Sequence, residues 1–269
     1  MLTEIIREAL LEARRVLSEC LSKGLVNVEG RGWSGDYSRQ FDILTEKAII
    51  NVIKNNLDKV YIVSEEVGEI PCKDPDFYVL IDPVDGSTNV SQGLPFSASA
   101  ITVSKSPRID DIIAAGVIDH QTGKLYLGDR DRGVMVMGNP PSMRRNISLK
   151  DALVFIDLSI IKENEKDTKL VEWCVKMITK SGNSRFFAAA NLEISYILEG
   201  KADAYACLSR DLKVLDFCAP ATMVRWAGGE YRLINGNEEM LLTKNGRFGI
   251  IVASTKNLLE EILSLRITT

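Results

Sequence analysis

Apolar and polar positions along this chain follow two periods, and each period predicts a different element. After Thr3 and after Ile43, apolar residues recur every three to four positions, which predicts helices that end near Gly24 and Leu57. Short apolar runs bounded by turn residues predict strands at 60–63, 77–81, 97–104, 112–119, 124–127 and 133–137. The polar, glycine-containing stretch Val26–Gln40 follows neither period and predicts a mobile loop.

The pattern changes after Asn139, where two consecutive prolines disfavour a continuing helix or central strand. Beyond this linker, predicted strands alternate with predicted helices: strands at 153–157, 202–207 and 249–253, helices at 167–180, 191–199, 217–227 and 257–265. This order predicts an α/β fold in which sheets and helices form layers. The linker divides the chain into an N-terminal part, 1–148, and a C-terminal part, 149–269.

Composition and charge narrow the class of protein. Of the 269 residues, 45% are hydrophobic and 26% are charged, as in ordinary soluble globular proteins. The formal net charge of −4 excludes a global basic field, so we expect neither nucleic acid nor an anionic membrane as a main partner. Five cysteines without CxxC spacing indicate a reducing cytoplasm, and no apolar run approaches the ~20 residues of a membrane span. A single histidine, His120, excludes mechanisms that need two imidazoles.

Carboxylates that follow apolar strands are the strongest chemical signal. The segment Asp82–Asn89 reads DPVDGSTN and directly follows a predicted strand. Because Pro83 denies a helical backbone to Asp82, the two aspartates of the segment can converge, with the carbonyl of Val84 beside them. A cation site is then expected next to an anion nest of consecutive backbone N–H groups, those of Gly86, Ser87 and Thr88. A capping turn without any ligand is the alternative interpretation.

Two further acidic segments can join this cluster. Glu65 and Glu66 end the preceding strand, and Asp216 lies among apolar residues just before a predicted helix. Carboxylates ~4 Å apart repel by about 1 kcal/mol per pair in water and by about 4 kcal/mol at an effective dielectric of 20. Such a cluster persists when cations bridge it, and oxygen-only ligands favour Mg²⁺ or Mn²⁺. Taken singly, the glutamates are also explained as a solvated turn and Asp216 as a helix N-cap.

Together these segments resemble the inositol monophosphatase family, the lithium-sensitive, Mg²⁺-dependent phosphomonoesterases that include fructose-1,6-bisphosphatases. The resemblance rests on DPVDGST at 82–88, SEE at 64–66, and LDFCAPA at 215–221 followed by Gly228-Gly229. A fourth segment, Ser38–Glu46, is similar to a family segment that has Thr where this chain has Ser38. The resemblance covers nearly the whole chain. It implies the sugar-phosphatase fold, an α-β-α-β-α stack of layers with the active site between the two parts, and a homodimer.

The resemblance also implies roles for individual residues. The resemblance implies a site for two or three Mg²⁺ ions, for which Mn²⁺ can substitute. The implied ligands are the carboxylates of Glu65, Asp82, Asp85 and Asp216 and the backbone carbonyl of Val84. The implied catalytic residues, which hold or activate the attacking water, are Asp42, Glu65 and Ser87. Backbone N–H groups of Gly86, Ser87 and Thr88 are implied to bind phosphate. Glu66 fits an outer position around the metals.

The implied substrate is a small phosphorylated sugar or inositol, and its implied contacts are Asp85, Arg185, Ala190 and Arg210. Arg210, six residues before Asp216, resembles an arginine of archaeal-type enzymes with both activities, and Ala188 replaces a usual glycine. Each arginine is alternatively a surface charge. The expected function is hydrolysis of inositol-1-phosphate, fructose-1,6-bisphosphate or both by metal-activated water. The alternatives are hydrolysis of 3′-phosphoadenosine 5′-phosphate, which needs a purine slot and a further basic site that the sequence does not show, and a non-catalytic regulatory role.

Overall fold

The structure is a computed structural model that describes residues 1–33, 35, 37–159, 168–234 and 246–266, without the side chains of Arg210 and Asp211. Its helices are α1 (Leu2–Ser22), α2 (Gln40–Asn56), α3 (Ser87–Ser91), α4 (Thr168–Lys180), α5 (Ala190–Leu198), α6 (Cys218–Trp226) and α7 (Lys256–Ser264). Its strands are β1 (Val28–Arg31), β2 (Tyr37–Arg39), β3 (Val60–Ser64), β4 (Gly68–Ile70), β5 (Phe77–Asp85), β6 (Ala98–Ser104), β7 (Ile112–Asp119), β8 (Leu125–Asp129), β9 (Gly133–Val136), β10 (Leu153–Ile156), β11 (Asn183–Arg185), β12 (Ala204–Leu212), β13 (Glu230–Leu233) and β14 (Phe248–Ala253).

The strands form two large sheets and one small hairpin. The first sheet has the order β4-β3-β5-β6-β7-β8-β9, with β3 and β5 parallel and the run from β5 to β9 antiparallel. The second sheet has the order β11-β10-β12-β14-β13, in which β10 pairs in parallel with both neighbours. The hairpin pairs β1 with β2.

Helices cover both faces of both sheets. Helices α1 and α2 pack on one face of the first sheet, and α5 and α6 lie between the two sheets. Helices α4 and α7 cover the outer face of the second sheet through residues such as Trp173 and Leu259. The layers therefore follow the order α-β-α-β-α, which confirms the predicted fold class.

Strand β5 shows why this layering suits the sequence. Its alternate residues Val79 and Ile81 pack with the α1 and α2 layer, whereas Leu80 belongs to the core between the sheets. Because successive side chains of a strand point to opposite faces, a strand that is apolar at every position is buried on both faces. The largest core cluster joins Leu80 to Phe155, so it contains residues from both sides of the predicted linker. The division at residue 148 stays a prediction.

The predicted loop at Val26–Gln40 is wrong, because the stretch contains the hairpin of β1 and β2. Both strands are short and largely exposed, so they lack the apolar alternation on which the strand prediction depends. Helix α2 also begins at Gln40, which places Asp42 in its first turn rather than on a loop. The short strands β4, β11 and β13 and the one-turn helix α3 were also missed, because three to five residues are too few to show a period. Among the described helices, none is long and apolar enough to cross a membrane.

Candidate active site

The DPVDGSTN segment leaves the first sheet through a bulge. Pairing between β5 and β6 shifts register between Asp82 and Asp85, where Pro83 lacks the N–H that a regular ladder needs. The hydroxyl of Ser99 on β6 donates to the Pro83 carbonyl at 2.6 Å and lies 2.8 Å from Nε2 of His120. The bulge is thus held from behind while the two aspartates face the opposite direction, toward the second sheet.

Gly86 makes the sharp turn from β5 into α3. Its φ of 80° lies in the left-handed region, and a Cβ at this position would lie 2.6 Å from the carbonyl oxygen of Phe96. Only glycine fits both the conformation and the space. The turn exposes the first N–H groups of α3, which have no acceptor within the helix, at Ser87 and Thr88.

A cavity of about 380 Å³ opens over this turn. The carboxylates predicted from three separate segments line it together, namely those of Glu65, Asp82, Asp85 and Asp216. Its other lining residues are Tyr37, Arg39, Glu66, Val84, Gly86, Ser87, Thr88, Asp157, Ser159, Phe186, Ala188, Ala190, Leu212 and Lys213. Acidic residues outnumber basic ones in this lining by six to two, so the described surface of the cavity favours a cation.

Asp82 is the most deeply buried member of the cluster, with 2% of its surface exposed. Its Oδ2 accepts a hydrogen bond from Nδ2 of Asn191 at 2.9 Å, and the same amide nitrogen donates to the carbonyl of Leu215 at 3.1 Å. Oδ1 has no hydrogen-bond partner within the described part of the chain. Burial, and then the charges of Glu65 and Asp85, raise the pKa of Asp82 well above its usual range.

Asp85 and Asp216 are each held by one backbone N–H group. The N–H of Leu192, in the first turn of α5, donates to Asp85 Oδ2 at 3.2 Å. The N–H of Lys213 donates to Asp216 Oδ2 at 2.7 Å, across a short 3-10 helix. Asp216 therefore caps its own 3-10 turn, and the N-cap of α6 is Phe217. Burial raises the pKa of Asp85 well above its usual range and that of Asp216 to about 7.

Asp42 and Ser87 form a separate hydrogen-bonded unit, in which Ser87 lines the cavity and Asp42 is outside its lining. The Ser87 hydroxyl lies 2.7 Å from Asp42 Oδ1 and 2.8 Å from the Val84 carbonyl oxygen, so it can donate to either acceptor. The second carboxylate oxygen, Oδ2, accepts from the Arg39 N–H at 2.9 Å. Asp42 itself is 1% exposed, and burial raises its pKa to about 7. A proton can therefore reside on this carboxyl at neutral pH.

Glu65 lies in the turn after β3, and Glu46 of α2 fixes that turn. Oε1 of Glu46 accepts from the N–H of Glu66 at 2.9 Å and from that of Val67 at 3.1 Å. The Ser38 hydroxyl donates to Glu66, and burial raises the pKa of Glu66 to about 8. Glu66 thus lines the cavity next to Glu65 in a hydrogen-bonded position, and Glu46 holds the turn by accepting from its backbone N–H groups.

The residues that the resemblance implies as substrate contacts are not all brought together in the cavity. Ala190 lines the cavity, whereas Arg185 is exposed on the edge strand β11, outside the lining, and Nη1 donates to the Ser184 carbonyl. The side chain of Arg210 lies outside the described residues. Ala188 lines the cavity with φ of 56°, a left-handed conformation that is strained in any residue with a Cβ.

Four residues in or beside the cavity were not predicted from the sequence. Asn191, which is outside the lining, bridges Asp82 to the 3-10 turn, and Lys213 brings an ammonium group to Glu65, Nζ to Oε1, at 2.6 Å. A lysine next to the mostly apolar segment 214–219 is unusual enough to have been a signal. Tyr37 and Phe186 are exposed aromatic residues on the lining, and nothing in their sequence context marks them.

Comparisons with known proteins agree with this geometry. The model of the inositol monophosphatase family matches residues 1–267. The chain is 26% identical over 267 residues to Nus factor SuhB of Salmonella typhimurium, with 97% of each chain covered. It is 29% identical over 239 residues to the fructose-1,6-bisphosphatase/inositol-1-monophosphatase of Methanocaldococcus jannaschii, with 88% of each covered. The crystal structure of extragenic suppressor protein suhB from Bartonella henselae has the same fold, with a TM-score of 0.83, 22% identity, and coverage of 99% of this chain and 98% of that one.

Proposed function

The chain belongs to the inositol monophosphatase family, and on this basis we propose that it is a Mg²⁺-dependent phosphomonoesterase that hydrolyses inositol-1-phosphate, fructose-1,6-bisphosphate or both. The observation that carries the proposal is a single cavity in which Glu65, Asp82, Asp85 and Asp216 meet the first turn of α3. That arrangement combines cation ligands with donors for a phosphate group.

The donor set fits divalent metal ions. All candidate ligands are oxygens, from four carboxylates and the carbonyl of Val84, and such ligands suit Mg²⁺ or Mn²⁺. The buried Oδ1 of Asp82, which has no partner among the described atoms, is an acceptor that a cation would satisfy. Within the described ranges, no three acidic, His or Cys side chains already form a metal shell, so closing one requires small side-chain rotations. When bound, Mg²⁺ would neutralise the phosphate and lower the pKa of a water molecule.

The chain's own residues would position the water and the phosphate. Ser87 can donate to Asp42 or to the Val84 carbonyl, so its hydroxyl can turn to accept from, or donate to, a water in the cavity. Asp42, with a pKa of about 7, can take up a proton at neutral pH. The free N–H groups at the start of α3 would hold the phosphate oxygens.

The leaving group would face Ala190 and the half-exposed carboxylate of Asp85. Arg185, which is exposed on an edge strand, has no part in this proposal. Tyr37 and Phe186 are aromatic residues in the lining of the same cavity, and this observation keeps the purine nucleotide 3′-phosphoadenosine 5′-phosphate as a second candidate substrate. A cytoplasmic location and a homodimer stay predictions.

The test is phosphate release from these three substrates with Mg²⁺ and with EDTA, and with and without Li⁺. Wild type is expected to release phosphate from at least one of the first two substrates only when Mg²⁺ is present. Asp85→Asn is expected to lose turnover and keep its fold, and the exposed Asp58→Asn is the matched control. Absence of release from both of the first two substrates by folded, Mg²⁺-loaded wild type would refute the proposal, and release from 3′-phosphoadenosine 5′-phosphate alone would establish the second candidate substrate in its place.

One relative's name, Nus factor, supports a regulatory role as a second candidate function. The Asp85→Asn variant distinguishes the two candidate functions. A regulator without catalysis would keep its cellular role in this variant, whereas an enzyme would lose it together with turnover. Complementation of a deletion strain of the source organism by Asp85→Asn therefore decides between them.

A further inference from the structure

Lys213 brings a positive charge into the carboxylate cluster. Its Nζ lies 2.6 Å from Oε1 of Glu65, and the two side chains are only 10% and 16% exposed. Burial raises the pKa values of Asp82 and Asp216, and the charge of Lys213 partly opposes the rise in both. The ammonium group therefore lies within electrostatic reach of three of the four clustered carboxylates.

The backbone around Lys213 fixes the start of its side chain. Strand β12 ends at Leu212, and the N–H of Lys213 donates to Asp216 Oδ2 at 2.7 Å. The N–H of Asp216 donates back to the Lys213 carbonyl at 3.1 Å. The 3-10 turn that orients Asp216 thus also directs the lysine stem across the cavity to Glu65, which is 148 positions away in the sequence.

The remaining carboxylates of the cluster are held by neutral donors. Asp82 accepts from an amide, and Asp85 and Asp216 accept from backbone N–H groups. Each of these three contacts uses one oxygen and leaves the net charge of the carboxylate unchanged. Glu65 differs, because its contact with Lys213 is a charge-neutralising ion pair in a cavity with an acidic lining. A divalent cation that binds Glu65 must compete with this ammonium group.

We propose that Lys213 is a built-in counter-cation of the metal site: it neutralises Glu65 in the metal-free protein and must leave Glu65 before a divalent cation can bind that carboxylate. The inference rests on the proposed function, which assigns Glu65 to the metal site. Its consequence is a compromise, since the ion pair stabilises the empty site and weakens the affinity for metal. The stem of four methylene groups allows the ammonium to move without any change in the backbone.

The experiment is calorimetric titration of metal-free protein with Mn²⁺ at pH 7.5, together with thermal unfolding in EDTA. Lys213→Met keeps the length of the side chain and removes its charge. At an effective dielectric of about 20, an ammonium group and a divalent cation a few ångströms apart repel each other strongly. This repulsion is larger than the free energy that corresponds to a tenfold change in affinity. We therefore expect Lys213→Met to bind Mn²⁺ at least tenfold more tightly than wild type and to unfold at a lower temperature in EDTA.

Two variants control for other effects of the substitution. Lys213→Arg keeps the charge and is expected to bind Mn²⁺ much as wild type does. Lys124→Met removes an ion-paired lysine from the Glu199 pair outside the cavity, and its Mn²⁺ affinity is expected to stay unchanged. If Lys213→Met does not fold, Lys213→Gln, which keeps a neutral donor for Glu65, is measured in the same way.

The outcomes separate this inference from the proposed function. If wild type binds no Mn²⁺, the proposed function fails. If wild type binds Mn²⁺ and the neutral variant binds it with equal or weaker affinity, the counter-cation inference is overturned and the proposed function stands. Tighter binding together with a less stable metal-free protein supports the inference, because a merely structural lysine would lower stability without improving the affinity for metal.

Discussion

Replacing Asp42 by Asn is expected to stabilise the metal-free protein above neutral pH. Burial raises the pKa of Asp42 from 3.8 to about 7, so the folded state binds this proton more tightly than the unfolded state does. The stability that the protonated form provides is lost as the pH rises from about 4 to about 7. Three pH units at about 1.4 kcal/mol each set an upper limit of about 4 kcal/mol on this loss.

The asparagine can keep every hydrogen bond at this position. Its Oδ1 can accept from the Arg39 N–H, and its amide nitrogen can donate to the Ser87 hydroxyl. Ser87 then donates to the Val84 carbonyl, which is already 2.8 Å away. No existing buried group loses a partner, but the second N–H of the amide has no acceptor among these contacts, and its cost offsets part of the gain from removing the charge.

The assay is urea unfolding of Asp42→Asn and wild type in EDTA at pH 4, 6 and 8. The difference in free energy of unfolding should be near zero at pH 4 and should reach between about 1 and about 4 kcal/mol in favour of the variant at pH 8. Phosphate release with Mg²⁺ should fall ~100-fold or more, because a positioned proton acceptor is lost. A stability difference that is independent of pH, or a variant less stable than wild type at pH 8, would refute the reasoning. Asp58→Asn, at an exposed site, shows what the substitution does without burial.

Three further predictions follow from contacts at the cavity. Ser87→Ala should lower kcat by ~10- to 100-fold with the fold intact, and Ser87→Thr, which restores the hydroxyl, should recover most of it in the phosphate-release assay. Asn191→Ala should lower the free energy of unfolding by about 1–3 kcal/mol, since Asp82 and the Leu215 carbonyl lose their donor; an unchanged urea midpoint would contradict this. Ala188→Gly should raise the free energy of unfolding by up to about 1 kcal/mol by relieving the left-handed strain at φ of 56°, and a thermal midpoint below that of wild type would count against it.

The parts of the site that could be predicted from the sequence are those in which one short segment carries the whole signal. The DPVDGSTN turn follows an apolar strand and combines a proline, which restricts the backbone at 82 and 83, with a glycine, which permits a left-handed turn at 86. The bulge at Asp82–Asp85 and the left-handed Gly86 follow from those restrictions. The fold class was predictable for a related reason, because β3 and the first five residues of β5 are apolar at nearly every position and must be covered on both faces.

Contacts between distant segments could not be predicted in this way. Asn191 and Lys213 act on Asp82 and Glu65, and no local pattern encodes which carboxylate a side chain will meet after folding. The polar hairpin of β1 and β2 was missed because its strands bury almost nothing. The sequence left a surface position of Arg185 open as an alternative and could not decide it, because a motif gives the order of residues and not the exposure of the edge strand that carries them.

The position of Asn191 links the geometry of the carboxylates to the packing of the two sheets. Its amide joins Asp82, at the end of a strand of the first sheet, to the Leu215 carbonyl, in the turn that follows a strand of the second. Leu192 N and Lys213 Nζ repeat this pattern, since each donates from an element of the C-terminal part to a carboxylate of the N-terminal part. Asp216 thus joins the other three carboxylates only where the second sheet packs against the first, and their mutual repulsion opposes that packing. Cations that bind these carboxylates would reverse the sign of that contribution, so the packing between the sheets is expected to be more stable with metal bound than in EDTA.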